Sequence, residues 1–325
     1  MFKGLAIALA CVLSMSMVTA ACGDDDDSSS SSSSGINVSE VAQSTDNDLI
    51  DAAVDGYRAY VTEQIEAMQT ETKVFADAIR AGNIDEAKDH YQISRRPWER
   101  IEPIAGLIEE IDGLVDSRAD DGLAEDSDEF TGWHKLEWYL WDQGDVSNAG
   151  VFADQLEADL QTLADEFPSV ELPPGVLTVG AQELIEEVAA PDGKLSGEEE
   201  RYSGTDLYSF KANVEGAEAL VELLEPALEE ADADLLADIE ALFDELNEQL
   251  DAQGSYEDGY TDYNDVTEAE KNDFSATLGQ LAEKLSLLNG ALNLEENDLS
   301  SLICYRIKRY CCNRSFSCCL WEIKR

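Results

Sequence analysis

Apolar side chains recur at helical spacing through most of this chain. Within residues 50–79, Val54, Tyr57, Val61 and Ile65 follow one another at intervals of three or four residues, which places them on one helix face. The same spacing predicts further helices over residues 84–111, 133–141, 148–166, 177–188, 205–229, 233–253 and 267–288. Pro97 and Pro103 are expected to kink or interrupt the second helix.

Two proline-rich breaks divide this pattern. Phe167-Pro168 and Pro173-Pro174-Gly175 separate the first group of helices from the second, and the alternation typical of strands is nearly absent. We therefore predict an all-α domain over residues 45–302. Its two halves, about 45–168 and 175–302, are predicted to be tandem four-helix bundles, because the helix count and the short loops fit that architecture.

The N-terminal segment indicates export and a tether. Lys3 precedes an apolar stretch over residues 4–21, and Cys22 follows directly, as in the signal peptide of a bacterial lipoprotein. We predict that residues 1–21 are removed, that Cys22 carries the lipid, and that the acidic, Ser-rich residues 22–44 form a disordered tether. The expected location is extracytoplasmic, periplasmic or at the cell surface, anchored to the membrane. A plain secretory signal with a chance cysteine is the alternative.

The segment 303–325 departs from the rest of the chain. It is basic where the remainder is acidic, and it holds five of the seven cysteines. Its pairs Cys311-Cys312 and Cys318-Cys319 lack a histidine and the spacing usual for zinc. The abrupt change of composition favours a shifted reading frame over a metal-binding tail.

The formal net charge of the whole chain is −50. Such a chain repels the phosphate backbone, which excludes nucleic acid as a natural partner, and it attracts cations. Two explanations for this negative charge compete, adaptation to high salt and a function in collecting cations. We assign most of it to salt adaptation, because the acidic residues cover every stretch rather than one patch.

Three short clusters carry candidate chemistry. His134 and Glu137 are three residues apart and share a helix face, as do Glu99 and Glu102. Helix-borne Glu and His at this spacing build iron sites in helical bundles. The alternative for His134 is a surface salt bridge.

Arginines near Glu99 and Glu102 offer an alternative to a metal at that pair. Arg95, Arg96 and Arg100 could neutralise the two carboxylates instead. The third cluster, residues 196–208, contains the glutamates 198–200, and a plain loop followed by a helix start at Ser203 or Thr205 explains it. No HExxH, P-loop or nucleophile-elbow motif occurs in the sequence.

Taken together and in this order, the three clusters resemble the imelysin-like M75 family, and within it the iron-uptake lipoproteins of the EfeO/EfeM type. The stretches that carry the resemblance are residues 91–105, 132–137 and 196–210, and the likeness extends over about residues 45–290. It implies two four-helix bundles with a metal site in the cleft between them. The implied ligands are Glu99, Glu102, Asp116, His134, Glu137 and Asp206, with one of Glu198–Glu200 as an alternative to Asp206.

The resemblance also implies a function. Members of this type bind iron outside the cytoplasmic membrane and deliver it to a membrane permease, with a haem-type peroxidase as a third component. Oxygen ligands with one imidazole suit Fe(II) or Fe(III), and also zinc, manganese or copper. Longer members carry a cupredoxin domain, whereas here only the tether is expected before the helices, which makes the chain like a short form.

Two other functions stay open from the sequence. The family carries a peptidase label, and a metal-bound water could hydrolyse a bond, although the usual zinc-peptidase motif is missing. An extracytoplasmic protein that binds a polysaccharide through bridging cations is the other alternative. We expect a metal-binding transport component rather than an enzyme.

Overall fold

The computed structural model describes residues 45–119, 123–190 and 193–294. Within these residues the helices are α1 (Asp48–Arg80), α2 (Ile84–Ile101), α3 (Glu109–Val115), α4 (Gly132–Glu137), α5 (Gly150–Glu166), α6 (Pro174–Ala189), α7 (Asp206–Ala231), α8 (Ala233–Asp251), α9 (Glu268–Leu285) and α10 (Leu288–Ala291). A short antiparallel pair, β1 (Gly254–Ser255) and β2 (Gly259–Tyr260), follows α8. The predicted signal peptide, the lipidated Cys22, the tether and the tail 303–325 lie outside the described residues.

The prediction of an all-α fold is confirmed, since β1 and β2 are the only strands in the described part of the chain. The second predicted helix ends earlier than expected. It continues through Pro97 but ends at Ile101, where a 3₁₀ turn, Glu102–Leu107, takes over. Pro103 contributes to this end, because it has no backbone N–H to donate to the carbonyl of Glu99 and so cannot continue the α-helical ladder.

Side-chain caps fix where several helices begin. The Asn47 side chain accepts a hydrogen bond from the backbone N–H of Leu49 at the start of α1, and Asp232 accepts one from Leu235 at the start of α8. Thr267 and Glu270 form a reciprocal capping box at α9. These residues satisfy backbone donors that the first turn of a helix leaves free.

The helices pack in two groups that follow chain order. In the first, α1 packs on α2 and α5, and the short helices α3 and α4 pack on α5. In the second, α6 packs on α7 and α9, and α8 on α7 and α9. Helix α7 also lies against α1 and α2, and the 3₁₀ turn after α2 lies against α6. Residues at the end of α2 therefore face both groups. None of the described helices is both long enough and apolar enough to cross a membrane.

Gly180 of α6 permits this close approach. A Cβ atom built at position 180 would collide with the carbonyl oxygen of Pro103. The absence of a side chain at Gly180 therefore lets α6 lie directly on the backbone of the turn that carries Glu102. By contrast, Gly279 of α9 is exposed, and a Cβ there would meet open space.

We expect Gly180→Ala to lower the free energy of unfolding by about 1–3 kcal/mol, because the added methyl group forces the two backbones apart. The matched control, Gly279→Ala, should raise it by roughly 0.5–1 kcal/mol, because alanine favours the helix over glycine. Urea denaturation of both variants beside the wild type measures the two effects. Equal effects of the two substitutions would contradict the assigned contact.

Candidate metal centre

Seven carboxyl groups and one imidazole meet where the two helix groups face each other. Every one of these eight side chains belongs to a residue that is at most 5% exposed. We call them the acid cluster: Glu99, Glu102, Asp116, His134, Glu137, Glu199, Glu200 and Asp206. It contains all six residues that the family resemblance implies as ligands, together with two of the three consecutive glutamates.

Four parts of the chain supply the acid cluster. Glu99 and Glu102 come from the end of α2 and the turn after it, and Asp116 directly follows α3. Helix α4 contributes His134 and Glu137, whereas the remaining three carboxylates come from the segment that leads into α7 and from its first residue.

Gly132, at the start of α4, brings His134 next to Asp116. Its φ of +77° lies in the left-handed region that favours glycine, and a Cβ there would collide with the carbonyl oxygen of Val115. Because α4 begins against the end of α3, His134 Nε2 lies 3.4 Å from Asp116 Oδ1. This contact lacks hydrogen-bond geometry, so the buried Nε2 has no hydrogen-bond partner among the described residues.

Glu137 holds the other side of the imidazole. Its Oε2 lies 3.1 Å from His134 Nδ1, while its Oε1 accepts hydrogen bonds from the backbone N–H of Tyr202 at 3.0 Å and of Ser203 at 2.8 Å. The Ser203 hydroxyl donates to the same oxygen at 2.9 Å. Glu137 therefore ties helix α4 to the loop that precedes α7 and fixes the orientation of the His134 ring.

Arg95 pairs with four carboxylates of the acid cluster. The guanidinium is fully buried and forms ion pairs with Glu99 at 2.6 Å, Glu199 at 2.7 Å and Glu200 at 2.7 Å, and with Asp116. Such forked pairing is typical of arginine with carboxylates.

Lys194 forms the second basic centre. Its Nζ lies 2.7 Å from Glu102 Oε2, 3.2 Å from Glu99 Oε2 and 3.3 Å from Glu199 Oε1. The Asn213 side-chain amide donates to the same two oxygens of Glu99 and Glu102, at 2.8 Å and 2.7 Å.

Glu200 is held by neutral donors in addition to Arg95. The Tyr91 hydroxyl donates to its Oε2 at 2.8 Å, and the Ser209 hydroxyl donates to its Oε1 at 2.9 Å. Asp206 accepts a hydrogen bond from the backbone N–H of Glu200 at 3.3 Å.

The acid cluster holds more carboxyl groups than permanent cations. In the described part of the chain, Arg95, Lys194 and Arg118 pair with five of its seven carboxyl groups, while Glu137 contacts His134. Burial disfavours the charged form of a carboxyl group, and a nearby cation favours it. The excess must therefore be balanced by protons or by a bound cation.

Several pKa values in the acid cluster reflect this imbalance. Burial raises the pKa of Glu102 and that of Asp206 to about 8, and it also raises the pKa values of Glu99 and Glu200. Burial and the charge of Arg95 oppose protonation of His134, yet its contacts with neighbouring carboxylates raise its pKa to about 9.

Two carboxyl groups shift the other way. Although burial opposes ionisation, the charges of Arg118, Lys194 and Arg95 lower the pKa of Glu199 to about 2. Against the same burial, Arg95 and His134 hold the pKa of Asp116 well below its usual range. Asp116 and Glu199 are therefore ionised at neutral pH.

A family model described as imelysin, peptidase M75, matches residues 53–288. The chain belongs to the imelysin family. The iron uptake system component EfeO of Escherichia coli strain K12 is 40% identical over 262 residues, which cover 80% of this chain and 69% of that relative. The proteins of the same name from Shigella flexneri and Escherichia coli O157:H7 match with the same identity and coverage.

Sequence reasoning missed part of this imelysin-family centre. Residues 196–208 do form a loop and a helix start, with Thr205 directly before α7, but the loop is not a plain one, because Glu199 and Glu200 are fully buried and pair with Arg95. The surface salt bridge considered for His134 is wrong, since this side chain is buried. Lys194 was not singled out, because no local spacing links it to Glu99, 95 positions away.

The sequence left open that Arg95, Arg96 and Arg100 neutralise Glu99 and Glu102, and among these three arginines only Arg95 pairs with one of the two. Arg95 pairs with Glu99, as that alternative expected. Arg100 instead pairs with Glu215 at 2.7 Å, and the Arg96 guanidinium packs on the ring of Tyr256, 4.4 Å from its centroid. The three consecutive glutamates between Lys194 and Arg201 were the sequence signal that this part of the chain joins a buried ionic centre.

The raised pKa values predict how the stability of the metal-free imelysin-family protein depends on pH. Glu102, Asp206 and His134 hold their protons more tightly in the folded state. The stability they contribute is complete below their unfolded pKa values and is lost as pH rises through about 8 to 9. We expect the free energy of unfolding to fall by about 1 kcal/mol or more per pH unit between roughly pH 5 and 8.

Urea denaturation in chelator across this pH range measures the slope. Asp206→Asn removes one of the shifted groups and should make the decline shallower. The matched control, Asp244→Asn, changes an exposed residue of α8 and should leave the slope as it is. A slope that Asp206→Asn does not change would contradict the assigned protonation.

Proposed function

We propose that this chain is the extracytoplasmic iron-binding component of a bacterial iron-uptake system. The observation that carries the proposal is the buried excess of carboxylates around His134 Nε2, a ligand atom without a hydrogen-bond partner among the described residues. The similarity to proteins named iron uptake system component EfeO supports iron as the cation.

Asp116, His134 and Glu199 are the best candidates for the first ligands. One ligand atom of each lies within 4.8 Å of the other two, as required for a shared ion. The group formed by His134, Glu137 and Glu200 meets the same condition. We favour the first group, because Glu137 already contacts His134 Nδ1, whereas Nε2, on the side of Asp116, has no hydrogen-bond partner among the described residues.

In this proposal Glu137 orients the metal-binding histidine. A carboxylate that accepts the proton of one ring nitrogen fixes the tautomer and leaves the other nitrogen to the metal. The three donors on Glu137 Oε1 keep that carboxylate in place. Glu200 and Asp206 adjoin this centre, while Glu99 and Glu102 lie in the part of the acid cluster around Lys194.

The chemistry of these ligands suits iron as cargo. Carboxylate oxygens with one imidazole favour Fe(II) and Fe(III) over soft ions, and they also admit zinc or manganese. A bound ion replaces protons as the balance for the excess carboxylates, so binding releases protons and weakens in acid. Release of the cargo then needs no covalent step.

The other parts of the system are proposed on the same family basis. The signal-like residues 1–21 and Cys22 would place the protein outside the cytoplasmic membrane on a lipid anchor. A membrane permease would receive the iron, and a haem-type peroxidase would complete the system. Delivery rather than hydrolysis is the proposed role, since the sequence contains no HExxH motif for a zinc peptidase.

Calorimetric titration with Fe(II) under anaerobic conditions, and with Fe(III)-citrate, tests the proposal. High salt in both titrations screens diffuse binding to the acidic surface. We expect saturable binding of one ion to the wild type and its loss in His134→Ala and in Asp116→Asn. Glu137→Gln should keep the stoichiometry and weaken binding by about 10–100-fold, because it removes only the partner of the ligand.

Glu110→Gln serves as the matched control, since Glu110 is an exposed acid of α3. It should bind iron as the wild type does. Equal, weak binding by all variants would mean that the carboxylates do not form a metal site. Loss of binding in Glu137→Gln as complete as in His134→Ala would instead make Glu137 a direct ligand.

A further inference from the structure

Lys194 is a buried ammonium group surrounded by oxygen atoms. Its side chain is fully buried, and its Nζ contacts one oxygen from each of three carboxylates, those of Glu99, Glu102 and Glu199. An ammonium has three N–H donors, so these contacts use its full capacity. Lysine is rarely buried without such partners.

The neighbouring atoms suit a cation rather than a neutral group. Asn213 directs its amide N–H toward Glu99 and Glu102, and its Oδ1 has no hydrogen-bond partner in the described part of the chain. Glu99 Oε1 lacks a hydrogen bond as well, although it lies 2.6 Å from Arg95. Carboxylate and amide oxygens are the ligands that hard metal ions prefer.

We propose that Lys194 is a tethered cation that fills a second cation position of the acid cluster and thereby limits the protein to one metal ion. This inference rests on the proposed iron-binding function. It assigns Glu99 and Glu102 to the ammonium and leaves Asp116 and His134 for the metal, so Lys194 determines the stoichiometry of the site.

A purely stabilising salt bridge predicts something else. If Lys194 only contributed stability, its removal would leave Glu99, Glu102 and Glu199 short of one positive charge, and the protein would simply be less stable. If it fills a cation position, its removal opens a site for a second ion close to the first. The number of bound ions separates the two cases, because lost stability does not raise it.

The experiment uses Mn(II) as the probe on the purified protein and on Lys194→Met, which keeps a long side chain without the charge. Metal per protein is measured after gel filtration in high salt, and electron paramagnetic resonance reports whether two ions lie close enough to couple. We expect one uncoupled ion in the wild type and two coupled ions in Lys194→Met. Lys194→Arg restores a cation at this position and should return to one ion.

A further variant locates the second ion. Lys194→Met/His134→Ala should hold one uncoupled Mn(II), at the position that the ammonium vacates. One ion in both the wild type and Lys194→Met would overturn the inference and leave the proposed function standing. No retained ion in either protein would overturn both.

Lys194→Gln keeps the test decisive if Lys194→Met does not fold. Its side-chain amide can still donate to the surrounding carboxylates without a positive charge, so we expect two coupled Mn(II) ions. One ion in Lys194→Gln, as in the wild type, would overturn the inference.

Discussion

The structure depends on an electrostatic imbalance buried between two groups of helices. More carboxylates are removed from water than the arginine and lysine side chains beside them can neutralise, and each unbalanced charge is expensive in such an environment. Protons provide the balance in the metal-free protein, because burial raises the pKa of Glu102 and that of Asp206 to about 8. A metal ion provides it in the proposed function. The same excess thus makes the folded protein sensitive to pH and ready to take up a cation.

Two close backbone contacts bring the excess carboxylates of this centre together. Gly180 lets α6 lie on the turn that carries Glu102, and Gly132 lets α4 begin beside Asp116. Arg95 and Lys194 then join carboxylates from both helix groups. A buried ionic network is weak evidence for stability, because apolar residues of similar volume often serve the core as well. Its presence here is more consistent with cation binding.

The helices were predictable from sequence because apolar spacing is a local property. Pro97 shows the limit, since α2 continues through it and ends only before Pro103. The pair His134 and Glu137 was also predictable, because both lie on one turn of one helix. The family resemblance added Asp116 and Asp206. Contacts of Lys194 with acids far away in the sequence were not predictable, because they arise only when the segment before α7 folds against α2.

Anomalous diffraction at the iron edge, from crystals of the iron-loaded protein, tests the central claim most directly. The account predicts one strong anomalous peak within bonding distance of His134 Nε2 and of carboxylate oxygens from Asp116 and Glu199. It also predicts that Lys194 keeps its contacts with Glu99 and Glu102. Anomalous peaks confined to exposed carboxylates, with the acid cluster unchanged around Arg95, would contradict it.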